Sequence, residues 1–188
     1  AIETFRQEFQ SIDSKTALEL LPLWLLSQDR LEWDSDRRVR EQVWPCFGQL
    51  RALAGKQFAL HIKFAFPYWF IHQSDPCKEV MRQAKAEWTK SFPNRSKQIQ
   101  AAIFCSKHYF GYCANIFQQS PNTLSDPSVY SQAESDERWE RATSTTILSI
   151  ADFIELVYSN TEGDDNSETK PIQSKSTPIS VESLSELL

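Results

Sequence analysis

Apolar residues recur at three- and four-residue steps through most of the chain, a spacing that predicts helices over most of its length. Thr16-Ala-Leu-Glu19 is a capping-box pattern ahead of an apolar run, and Pro22 either breaks that helix or opens the next one. Asp34, Ser35 and Asp36 place acceptors and negative charge before a segment in which Val39, Val43, Phe47, Leu50 and Ala54 share a face. Gly55 is its C-terminal stop, and Trp44-Pro45 marks a kink or a split inside it. Ser74-Asp75-Pro76 predicts the next start, because Asp accepts from open backbone N–H groups and Pro at the first helical position gives up none that matters. That helix has an apolar stripe of Val80, Met81, Ala84 and Trp88, with Lys78, Arg82 and Lys85 on another face, and Phe92-Pro93 ends it. From Arg95 to Gln119 the helical positions are Ile99, Ala102, Ile103, Ser106, Phe110, Cys113 and Phe117, with Arg95, Lys97 and Lys107 toward solvent. Residues 121–131 read as a loop. A last helix from Ala133 to Tyr158 draws its buried face from Trp139, Ala142, Thr146, Ile147, Ile150, Ile154 and Val157.

Two stretches break this pattern. In residues 57–66, Phe58, Leu60, Ile62, Phe64 and Phe66 alternate with Ala59, His61, Lys63 and Ala65, which is strand spacing. No second segment alternates as cleanly and no hairpin turn flanks it, so a buried helix or an apolar connector stands beside the strand as an alternative, with Pro67 ending whichever it is. After Asn160 the composition turns acidic and Ser/Thr-rich, too poor in apolar side chains to offset its ordering entropy. Val181, Leu184, Leu187 and Leu188 give its last residues a short amphipathic pattern, suited to a protein partner or to the chain's own surface. The expected architecture is all-α: a helical bundle of about five or six helices over residues 1–160, then a flexible acidic tail at 161–188.

Composition supports one self-sufficient core: 188 residues, 40% hydrophobic and 12% aromatic, with no need of a disulfide or metal staple. No apolar run approaches the ~18–20 residues of a membrane span, and AIETFRQEF lacks the basic-then-apolar pattern of a signal peptide, so the chain reads as cytoplasmic with no membrane partner. Charge changes the picture more. Residues 1–36 hold three basic and eight acidic side chains, residues 37–107 thirteen basic and four acidic, and residues 108–188 four basic and thirteen acidic. A basic middle between acidic ends suggests contact with a polyanion, unless the segments neutralise one another on folding.

Catalytic chemistry is sparse. Only His61, His72 and His108 are available as acid–base groups, none in a local catalytic signature, and no phosphate-cradling, dinucleotide or zinc-protease motif occurs. Cys105, His108 and Cys113 share helical spacing, but Cys46 and Cys77 lie in other contexts, so small buried cysteines are preferred to a metal site and no cofactor is expected. The aromatic run Phe64-Ala-Phe-Pro-Tyr-Trp-Phe70 suits base stacking, but in a helical protein it more often fills the core.

With its basic face at Lys78 to Lys85 and at Arg95-Ser-Lys97, its helical architecture and its acidic ends, residues 1–160 resemble the small helical subunit of class 1 CRISPR effector complexes. The resemblance implies a non-enzymatic, RNA-binding role in antiviral defence: holding the backbone of a single strand or heteroduplex inside a multi-protein ribonucleoprotein complex. The expected contacts are Arg37, Arg38, Arg40, Lys78, Arg82, Lys85, Arg95 and Lys97. The alternative is a helical adaptor or regulatory protein that docks an acidic protein partner.

Overall fold

The computed structural model of the chain describes residues 4, 7–9 and 11–158. Seven α-helices run through residues 14–158: α1 (Ser14–Glu32), α2 (Arg37–Ala54), α3 (Ile62–Ile71), α4 (Lys78–Ser91), α5 (Arg95–Gln118), the single turn α6 (Pro121–Leu124) and α7 (Gln132–Tyr158). Two 3-10 segments, Gly55–Leu60 and His72–Ser74, flank α3. The expected all-α class holds, with seven helices in residues 14–158 where about five or six were expected; one of them is the turn at Pro121–Leu124, where Ser120 and Thr123 close a capping box inside the presumed loop. The tail at 161–188, including Val181 to Leu188, lies outside the described residues.

Short polar side chains set the starts. Asp13 Oδ1 accepts from the Thr16 N–H at 2.7 Å, so α1 is capped three residues before Thr16, and Pro22 is accommodated on its exposed edge without ending it. Asp36 and Asn94 cap α2 and α5 in the same way, at 2.9 Å each. Gly55 closes α2 with φ +54°, a left-handed conformation that other residues rarely adopt. Asp75 accepts from the Cys77 N–H at 2.7 Å, and α4 begins two residues later than the sequence suggests.

Helix α1 packs on α2, α2 on α4, and α3 on α5, while α7 closes over α5, α6 and the His72–Ser74 turn. Aromatic rings fill the space between them. Trp69 is met by Phe47 at 5.0 Å, Trp88 at 5.4 Å and Phe92 at 5.9 Å between ring centroids, and its indole N–H donates to the Ala84 carbonyl at 3.1 Å. A second group gathers Phe66, Phe70, Tyr109 and Phe153. Of the aromatic run Phe64 to Phe70, Phe66, Trp69 and Phe70 are core, as helical packing favours for large rings, whereas Tyr68 is half-buried and Phe64 exposed.

Residues 58–66 are helical, and the alternation is a coincidence of composition. Phe58, Ile62 and Phe66 are fully buried, whereas Leu60 and Phe64 are 63% and 62% exposed, the outcome of a helical rather than a two-residue period. Phase differs from expectation in two further helices. Helix α5 buries Ile99, Ala102, Cys105, Tyr109, Cys113 and Ile116 and turns Ile103, Phe110 and Phe117 outward. Helix α7 turns Arg138, Arg141, Thr145, Thr146 and Ser149 inward and leaves Ile147 and Ile154 exposed.

Candidate docking surface

The cations expected to form one strip do not share a role. Arg40 is buried: its Nη1 donates to the carbonyls of Asp34 (2.7 Å) and Ser35 (3.3 Å), and its Nε lies 3.5 Å from the buried Asp75 carboxylate. A guanidinium so enclosed is no nucleic-acid contact; Arg40 falls on the same helical face as Val43 and Phe47 and is drawn in with them. Arg38 is exposed but doubly bonded to Asp36, whose carboxyl the guanidinium pulls down to about 2. Arg37 lies 4.0 Å from Glu79. Lys78, Arg82 and Lys85 do project from α4 into solvent, and Lys97 sits half-buried in the first turn of α5. Lys85 and Arg95 meet in a shallow depression also lined by Asp152 and Glu155, so two carboxylates face the two cations.

The inward guanidinium has company. The carbonyls at the end of α1, which the helix itself leaves without partners, accept from three distant side chains. His72 Nε2 faces the Glu32 carbonyl at 3.2 Å, Arg141 Nη2 donates to Trp33 at 3.0 Å and Asp34 at 3.2 Å, and Arg40 takes Asp34 and Ser35. Beside them Glu32 Oε2 lies 3.4 Å from His72 Nδ1, while Gln28 donates to Glu32 Oε1. Burial, ahead of every other cause, pushes the Glu32 carboxyl well above its ordinary range and the His72 imidazole below its own. Both shifts favour the neutral forms, which suits a site closed to water, and the Tyr68 carbonyl lies 3.0 Å from His72 Nδ1.

The outer surface offers apolar ground instead. Pro22, Leu26 and Asp29 form one wall of a groove of about 480 Å³, and His61, Phe64 and Tyr68 form the other, with Leu25 beneath. Leu26 is 78% exposed, and Leu23 on α1 and Leu60 at the end of the 3-10 segment before α3 are exposed as well. The groove's polar groups are few. Trp33 donates to the Tyr112 hydroxyl at 3.0 Å, and Tyr112 donates to Asp29 Oδ1 at 2.6 Å, which fixes the carboxylate at the groove wall. Among the described residues no Lys, Arg or His forms an ion pair with Asp29. A second groove, lined by Ile103, Phe110, Ile154 and Tyr158, runs between α5 and α7 and contains no charged side chain. Among the described residues no three His, Cys, Asp or Glu side chains are grouped to hold a metal, and burial raises the Cys105 and Cys113 thiols to about 12 and about 11. No described helix is long and apolar enough to cross a membrane.

The family described as "E3 ubiquitin-protein ligase listerin, N-terminal domain" matches residues 1–185. Among curated proteins, the chain is similar to E3 ubiquitin-protein ligase listerin of Gallus gallus, 27% identical over 158 residues that cover 84% of this chain and 9% of that protein. The listerins of Mus musculus and Xenopus tropicalis are 28% and 27% identical over 139 residues, 73% of this chain and 8% of theirs. The chain therefore spans less than a tenth of the length of the curated relatives it matches. No solved structure matches it.

These matches overturn the resemblance to a CRISPR effector subunit, and with it the RNA-binding and antiviral-defence role and the nucleic-acid partner in a ribonucleoprotein complex. The alternative of an adaptor for an acidic partner has no support in them either. The expectation of a non-enzyme is corrected as well, since the relatives are by name E3 ubiquitin-protein ligases, enzymes of which this chain corresponds to a small part. Basic residues in a helical frame are too common to identify a family; the agreement over 185 residues is what does so, and the chain belongs to the family of listerin N-terminal domains.

Proposed function

We propose that this chain is the N-terminal docking unit of an E3 ubiquitin-protein ligase: it holds a partner for the ligase, while ubiquitin transfer is carried out by the rest of the enzyme. The observation that carries this reading is the apolar groove between α1 and α3, an exposed surface held in shape by a rigid aromatic core, in a chain of which residues 1–185 match a listerin N-terminal domain. Contiguous exposed apolar area on a folded surface marks an interaction site. We place its work in the cytoplasm; four cysteines without a disulfide accord with a reducing compartment.

The test uses the intact ligase and a version lacking this segment. Self-ubiquitination should persist in the truncated enzyme, whereas the set of cellular proteins bearing its ubiquitin marks, read by mass spectrometry of ubiquitin remnants, should shrink. An unchanged set, or loss of self-ubiquitination, overturns the reading.

A further inference from the structure

We propose that the groove between α1 and α3 takes an amphipathic helix of a partner protein, which lays an apolar stripe against Leu26 and Phe64 and sets one Lys or Arg on Asp29. This rests on the docking role proposed above and names the surface and the partner's chemistry.

Three observations converge on it. The groove walls follow helical spacing: Pro22, Leu26 and Asp29 climb α1, while His61, Phe64 and Tyr68 climb the facing element. Two rows of side chains at helical spacing above an apolar floor offer places for the i, i+3, i+4 and i+7 side chains of a helix. The half-buried Asp29 carboxylate is positioned by Tyr112 at 2.6 Å, and no ion pair among the described residues answers its charge. The Tyr68 hydroxyl, a lining group of the same groove, makes no hydrogen bond among the described residues. Burial, and next the charges of Asp29 and Glu32, keep that phenol from ionising. A cationic side chain arriving along the groove would meet a carboxylate and a neutral hydroxyl, both able to accept from it.

Charge selects the occupant. The chain's own amphipathic sequence, Val181 to Leu188, carries Glu182 and Glu186 and would set like charge against Asp29. The α5–α7 groove is apolar but has no charged group to choose one partner over another. The outer face of α4, though basic, has no large exposed apolar residue to insert.

The probe is a peptide of about 15 residues with leucines at i, i+3, i+4 and i+7 and one flanking arginine, titrated by fluorescence anisotropy against the 188-residue chain. A twin peptide carries glutamate in place of the arginine. The arginine peptide should bind about 10-fold or more tightly than its twin, and Asp29→Asn, which preserves the acceptor for Tyr112, should erase that preference. Leu26→Ser with Phe64→Ser, both at exposed positions, should weaken both peptides by about 10-fold while circular dichroism stays unchanged. Persistence of the arginine preference in Asp29→Asn overturns the proposal, as does indifference to the Leu26/Phe64 pair. Tighter peptide binding after removal of residues 159–188 would show the chain's own tail in the groove, and dimerisation abolished by the same pair would show a second copy there; either overturns it. In the intact ligase, the groove variants separate the two readings: modification that survives them but not removal of the whole segment retains the docking role and rejects this groove.

Discussion

Gly48 lies beneath Glu87, and the contact leaves no room for a side chain: a Cβ at Gly48 would stand 2.2 Å from a Glu87 carboxylate oxygen. Glu87 is buried and ion-paired with Lys90, so moving its carboxylate aside into the depression it lines disturbs that pair. Gly48→Ala should lower the unfolding free energy by about 1–3 kcal/mol, the range for overpacking a filled site. Combined with Glu87→Ala, most of the Gly48→Ala cost should vanish in urea denaturation; strictly additive costs would show that the two residues do not compete for this space. Glu32 and His72 make a second residue-scale test. Glu32, raised from 4.5 by burial, contributes stability in full below that pH and loses it as pH climbs toward the folded value. His72, lowered from 6.5, contributes in full above that pH and loses it as pH falls toward its folded value. Glu32→Gln should remove the first loss, so that its denaturation midpoint declines less than the parent's as pH rises past 4.5; parallel declines would clear Glu32 of the effect. Arg40 is legible at this scale from its register, since it shares a helical face with Val43 and Phe47. Asp29 was not, because its place depends on Tyr112, 83 residues away in sequence.

At the scale of the element, starts and stops were written plainly in short polar side chains and glycine, and facing was not. The Asn94 side-chain Oδ1 accepts from the Lys97 N–H at 2.9 Å, and Asn94→Ala should cost about 0.5–2 kcal/mol in thermal or chemical denaturation, with Asn94→Asp nearly neutral. Helices α5 and α7 show why facing is hard to read. Each carries more apolar residues than one stripe can hold, and α7 spends its inward face on Arg138, Arg141, Thr145, Thr146 and Ser149. Ser149 is drawn inward by a partner, since its hydroxyl lies 2.7 Å from that of Tyr109, and a partner 40 residues distant leaves no trace in local periodicity. The same blindness let Phe64, in an aromatic run read as core, turn out to be surface. A groove made by two elements has no signature in either one.

For the whole molecule, the all-α class followed from periodicity alone, whereas the charge map misled. Adding up segments cannot show that Arg40 lies inside, that Arg38 is held by Asp36, or that Asp152 and Glu155 face Lys85 and Arg95. Identity came from agreement along the chain with a family rather than from any motif. The frame that holds the groove depends on rings: Trp69→Ala should cost about 3–5 kcal/mol, a large share of the 5–15 kcal/mol typical of a domain, and Trp69→Phe should cost more than its volume suggests because the bond to the Ala84 carbonyl is also lost. Calorimetry on the two variants measures both.

The bonds from Arg141 to Trp33 and Asp34 bear on how the protein is born. They span 108 and 107 residues of sequence, so a ribosome adding roughly 5–20 residues per second releases the first helix well before the arginine that completes its end. For that interval, on the order of 5–20 s, the Trp33 and Asp34 carbonyls are without this partner, and the end of α1 is completed only after Arg141 has been made.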